Sequence, residues 1–182
     1  MRVHGKKLLS LLMFGLMFGF LGGEARAQFN SPVADVAMNA VLNQSLTVTL
    51  DAAAVNFTMT NGSSLNAGDA TISVTTAWTL IPSVGSVDIY AYFDDSTAAL
   101  TNGTDDIPAA NVEGSVDGGA LTAFMATSPF GGVGVTVGSI TITGVNKNSS
   151  QVNTLDLNIN LTGLTLSAGT YTGTMHIQAQ AL

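Results

Sequence analysis

The sequence predicts an all-β chain folded as an antiparallel β-sandwich, on three observations. Apolar and polar residues alternate in many short runs, the runs are bounded by Gly, Asn, Asp, Ser or Pro, and no long segment carries a helical period. Alternation places successive side chains on opposite faces of a strand. Each run therefore offers one face to a core and one, here rich in threonine, to water.

The first residues, MRVHGKKLLSLLMFGLMFGFLGGEARA, set Arg2, Lys6 and Lys7 ahead of an apolar run over residues 8–23, followed by Ala25 and Ala27 as a small-x-small site. That is the layout of a secretory signal peptide, residues 1–27, cut after Ala27. A membrane anchor is the weaker reading, because the run is shorter than the roughly 20 apolar residues a spanning helix needs. Residues 28–182 then form a single domain, expected to be secreted to the extracellular space or cell surface, with no second apolar span to insert in a membrane.

Cleavage removes Arg2, Lys6, Lys7 and Arg26 but only Glu24 from the acidic side. It leaves 11 acidic residues against Lys147, a net charge of −10. A surface of that sign repels phosphate and anionic lipid, which argues against nucleic acid or a membrane surface as a partner, and it keeps an exported protein soluble. There is no cysteine. The fold must hold by packing and backbone pairing alone.

The elements follow in order. In VADVAMNAVL, residues 33–42, Val36, Met38, Ala40 and Leu42 make a strand face, while Val33, Val36, Ala37, Ala40 and Val41 make a helical one equally well. SLTVTL and VNFTMT alternate around Leu46, Val48 and Leu50 and around Val55, Phe57 and Met59, and NGSSLNAGD is a turn-rich connection. ATISVTTAWTL sets Ile72, Val74, Trp78 and Leu80 on one face, and SVDIYAYF sets Val87, Ile89, Ala91 and Phe93 opposite Asp88, Tyr90 and Tyr92. These two read as neighbouring strands. The stretch 94–110 carries Asp94, Asp95, Asp105 and Asp106, an Asn-Gly and a proline, and reads as one long surface loop.

Weaker strands follow in NVEGSV and ALTAFM, joined at DGG. In VTVGSITI the apolar parity switches from Val135 and Val137 to Ile140 and Ile142, so Gly138 marks a bulge. GVNKNSSQ reads as a polar turn, and TLDLNINL alternates Leu155, Leu157, Ile159 and Leu161 with polar partners. The closing LSAGTYTGTMHIQAQAL alternates Tyr171, Gly173, Met175, Ile177, Ala179 and Ala181 with threonines, His176 and glutamines. Many short strands without helices point to a sandwich of immunoglobulin-like type.

Catalytic chemistry is sparse. His176 is the only histidine after residue 27, on the polar face of the last strand, and neither Gly-x-Ser-x-Gly nor His-Glu-x-x-His occurs. Glu113 is the only glutamate of the mature chain, so a glycosidase would need aspartates in both carboxylate roles. The aspartates at 94, 95, 105 and 106 offer hard oxygen ligands suited to calcium, but their spacing is not that of an EF-hand, and acidic loop ends are common on an acidic surface. GGVGVTVG departs from the dinucleotide fingerprint at Val137 and lies in a β-rich setting. The sequence therefore predicts no catalytic residues, no metal site and no cofactor. Tyr90 and Tyr92, on an outer face, suit either stacking on a sugar or packing across strands.

The two ends carry a resemblance. A signal peptide, the alternating ADVAMNAVLNQSLTVTL, a cysteine-free sandwich and a closing AGTYTGTMHIQAQAL are similar to the layout of bacterial pilin-like subunits, among them spore-coat-U-like and chaperone–usher fimbrial proteins. The resemblance implies a subunit lacking one strand, which the N-terminal segment of a neighbour supplies. Here that donor strand would be residues 33–42, inserting Val36, Met38, Ala40 and Leu42. Many such pilins have a disulfide and an aromatic residue next to last, and this chain has neither, with Ala181 at that place. Assembly by chaperone and usher is therefore not implied as directly as strand exchange.

The leading expectation is a non-enzymatic, secreted structural subunit of a surface fibre or coat, with self-association or other surface proteins as partners. The alternative is a monomeric sandwich that binds carbohydrate or another surface ligand through the 94–110 loop and the nearby tyrosines. A hydrolase stands third.

Overall fold

The computed structural model describes residues 33–182, and the predicted signal peptide lies outside the described residues. The chain divides after Ala40. Residues 33–40 contain no helix or strand, and their side chains are exposed. Residues 41–182 carry eleven strands and one 3-10 turn, Ala109–Asn111.

The strands are β1 (Ser45–Leu50), β2 (Ile72–Thr79), β3 (Ser86–Phe93), β4 (Leu100–Thr101), β5 (Asp106–Ile107), β6 (Val112–Val116), β7 (Thr122–Ala123), β8 (Ala126–Thr127), β9 (Val133–Thr141), β10 (Asn148–Ile159) and β11 (His176–Ala181). All pairings between them are antiparallel. One sheet has the order β1-β2-β10-β6-β7 and the other β11-β3-β9-β8, with β4 and β5 as a separate hairpin. The fold is an antiparallel β-sandwich.

The alternation decides which side chains meet. Ile72, Val74, Trp78, Leu155, Leu157 and Ile159 from one sheet are buried with Val87, Ile89, Ala91, Phe93, Val135 and Val137 from the other. Burying one such side chain contributes about 1.5–3 kcal/mol. Trp78 satisfies its one polar atom by donating from Nε1 to the Asn146 carbonyl at 2.7 Å. The parity switch in β9 is real: Ile89 pairs with Gly138 but Tyr90 with Thr136, so Val137 is the extra residue of a bulge.

Several expectations need correction. β2 and β3 are not neighbours, because the chain crosses from one sheet to the other through residues 80–85. VNFTMT forms no strand. Val55, Phe57 and Met59 still pack on the core, but the backbone makes only an isolated bridge, Phe57 to Gly68. Side chains replace the ladder there: the Asn56 N–H donates to Asp69 Oδ1 at 2.8 Å, and the Thr60 N–H donates to Asn66 Oδ1 at 2.7 Å.

The stretch 94–110 is not wholly a surface loop, since it holds β4 and β5 and buries Ala99, Ile107 and Ala109. The polar NSSQ belongs to β10, paired with the far end of β2. The last strand begins only at His176. Before it, a Cβ on Gly173 would collide with the Ala99 carbonyl, and the chain there pairs with β4 through one bridge, Thr172 to Thr101, rather than continuing the last strand.

Candidate functional site

One side of the sandwich where core-facing residues are incompletely covered is the seam between β1 and β11. Each is the outer strand of its sheet, and the two come close to one another along the same side. Their inward residues, Leu46 and Val48 on β1 and Ile177, Ala179 and Ala181 on β11, pack on the core yet remain only half buried. One strand further in, Val74, Val87 and Ile89 are 0% exposed. An apolar residue facing a core stays wet only where a covering neighbour is missing.

The seam widens where β1 stops at Leu50 and β11 starts at His176. There the sheets part over a recess of about 280 Å³ whose walls include Leu50, Val55, Phe57, Phe93, Leu100 and Met175. On this side each edge strand also presents unpaired backbone donors and acceptors, which is a template for a further strand. A second recess, about 530 Å³, lies on the opposite side among Val116, Ala123, Met125 and Val135. That side is closed differently, because β7 and β8 are consecutive and the chain itself passes between the sheets through Phe124 and Met125.

The predicted donor residues belong to no strand. Val36, Met38 and Leu42 are 84%, 92% and 80% exposed, and Ala40 is exposed too. Backbone pairing for residues 33–44 is likewise absent among the described residues.

The other sequence candidates are spread out. Tyr90 and Tyr92 do share an outer face, and the structure adds Phe130 and His176 to them. Phe130 meets Tyr90 edge-on at 6.1 Å and Tyr92 at 5.8 Å, and the His176 ring lies 5.3 Å from Tyr92. Tyr92 is buried in this row and its hydroxyl donates to Gln178 Oε1 at 3.1 Å. The row is cross-strand packing between β11, β3 and the loop before β9. Phe130 was not legible as a member. The available signal was the Gly131-Gly132 pair behind it, both at positive φ, which turns the loop back over β3.

His176 Nε2 sits 3.2 Å from Asp94 Oδ2 on the surface. The four aspartates of 94–110 do not converge, and among the described residues no three His, Asp or Glu side chains do. Asp95 instead receives Thr97 Oγ1 and N–H, and Asp105 receives the Ser167 N–H and hydroxyl and the Tyr171 hydroxyl. Hydrogen bonds to the charged form hold both carboxyls below their ordinary range, through the Thr97 side chain first for Asp95 and the Ser167 side chain first for Asp105.

No protein-family model matches the chain, and no curated protein is significantly similar to it. Among the described residues no helix is long and apolar enough to cross a membrane.

Proposed function

We propose that the protein is a secreted structural subunit of an extracellular fibre or coat, joined to its neighbours by β-strand exchange. Residues 33–42 of one copy are the donor, and the β1–β11 seam of another is the acceptor. The observation that carries this reading is the seam itself: two outer strands whose inward side chains are only half-buried, with an apolar recess beyond the end where β1 stops and β11 starts. The donor complements it in kind, with apolar residues at alternate positions and no pairing of its own.

Apolar burial and backbone pairing are the terms that would drive the exchange. Burying Val36, Met38 and Leu42 contributes about 1.5–3 kcal/mol each, and the added strand satisfies two rows of backbone groups, against the loss of rigid-body and chain freedom on association. Light scattering on wild type and Met38→Asp tests the reading. We expect the wild type to multimerise with concentration and the variant to stay monomeric and folded, since an unpaired carboxylate in the groove costs several kcal/mol. A wild type that is monomeric at every concentration defeats it.

A further inference from the structure

Three dipeptides in residues 41–182 have the composition that closes most readily to a succinimide: Asn61-Gly62, Asn102-Gly103 and Asp117-Gly118. In each, glycine offers no side chain to hinder attack of its backbone nitrogen on the preceding side-chain carbonyl carbon. The fold treats the three differently.

Asn102 is held in place. Its Oδ1 accepts from the N–H of Thr104 at 2.8 Å and of Asp105 at 2.7 Å, and the Gly103 N–H, the would-be nucleophile, donates to Thr101 Oγ1 at 3.0 Å. Its amide also packs beneath Gly169. Asp117 is held as well, with Oδ1 receiving the Thr154 N–H at 2.7 Å and Oδ2 receiving Asn153 Nδ2 at 2.8 Å. Those bonds, the Thr154 N–H first, keep its carboxyl ionised below the ordinary range, and a carboxylate is a poor acceptor for attack.

Asn61 has none of this. It is exposed at the tip of the turn closed by the Ser63 N–H to the Thr60 carbonyl, and its one side-chain bond is a long 3.4 Å from Nδ2 to the Leu166 carbonyl. The Gly62 N–H has no acceptor among the described residues.

We propose that Asn61 is a site of spontaneous deamidation in the folded protein, and that Asn102 is protected by the fold. The Gly62 nitrogen bonds to Asn61 Cγ, the Cγ–Nδ2 bond breaks, and the nitrogen leaves as ammonia with the transferred proton. Water then opens the cyclic imide at either carbonyl, giving aspartate or isoaspartate. The product carries one more negative charge, aimed at the Leu166 carbonyl that the Asn61 amide had bonded. It therefore loosens the tie between this turn and the segment after β10.

Peptide mapping by mass spectrometry, on native protein incubated in mildly alkaline buffer and on the same protein in denaturant, tests the site. In denaturant both asparagines should convert at similar rates. In native protein Asn61 should convert at close to that rate and Asn102 at least about ten-fold more slowly, the factor that each ~1.4 kcal/mol of local opening free energy supplies. Thr101→Val, which frees the Gly103 N–H, should raise the native rate at Asn102. Equal native rates at the two asparagines, or conversion of Asn102 ahead of Asn61, overturn the proposal.

Discussion

The centre of the sandwich and its seam are made of the same kinds of residue in the same alternation, yet they differ in how far those residues leave water. Val87 and Ile89 on β3 and Leu155 and Ile159 on β10 are 0% exposed, whereas Leu46 and Val48 on β1 and Ile177 and Ala179 on β11 are half buried. Alternation selects a strand and its inner face. Burial depends on a strand to either side, and β1 and β11 each have one. The difference teaches that burial here follows position in the sheet: the inner strands are covered on both sides, and the outer strands β1 and β11 on one.

That contrast can be broken by truncation. Phe124 is fully buried and meets Phe93 edge-on at 5.1 Å, so Phe124→Ala should destabilise by about 3–5 kcal/mol in urea denaturation. Ile177→Ala at the seam should cost only about 1–2 kcal/mol in the monomer, because part of that side chain is already in water. Equal losses at the two positions would remove the distinction between centre and seam.

A smaller effect of opposite sign sharpens the same comparison. Thr76 is fully buried on β2 and its hydroxyl has no hydrogen-bond partner. Thr76→Val keeps the shape and removes an unmet polar group, so it should stabilise by about 1 kcal/mol, read as a raised Tm. A lowered Tm would mean that the centre has a use for that hydroxyl.

The smallest effect belongs to pH. Hydrogen bonds hold Asp69, Asp95, Asp105 and Asp117 below their ordinary range, chiefly from the Asn56, Thr97 and Ser167 side chains and the Thr154 N–H respectively. The folded state thus binds these protons less tightly than the unfolded chain does. Their stabilisation is complete above about pH 4 and is lost as pH falls through the lowered folded values. Being at the surface, they are screened, so the decline of Tm into acid should be modest. A Tm that stays flat through the acid range would show that these ties do not hold the loops.

Much of the fold was legible because burial and period coincide in the central strands. Leu155, Leu157, Ile159 and Leu161 are all buried, as are Ile72, Val74, Trp78 and Leu80. The period cannot say which sheet a strand joins, and β2 and β3, alike in pattern and adjacent in sequence, lie in different sheets. It also fails where another force holds the chain. Phe57 alternates like a strand residue, but the bonds that Asn56 donates to Asp69 and Thr60 donates to Asn66 fix its neighbourhood instead. At the polar start of β10, Asn148 to Ser150 are exposed, so no apolar signal marks a segment that pairs with β2. The alternation of residues 33–42 was legible, but the β1–β11 seam was not. It joins strands far apart in the sequence, and no local pattern records that meeting.

The one tryptophan of the chain gives the seam an optical reporter. Trp78 is 3% exposed on β2, directly across from Leu46 of β1, with its indole N–H fixed on the Asn146 carbonyl. With no other indole to contribute, the colour and quenching of its emission follow a single position one strand in from the outer strand β1. Loosening or covering of β1 can thus be watched by fluorescence in the unmodified protein, without attaching a dye.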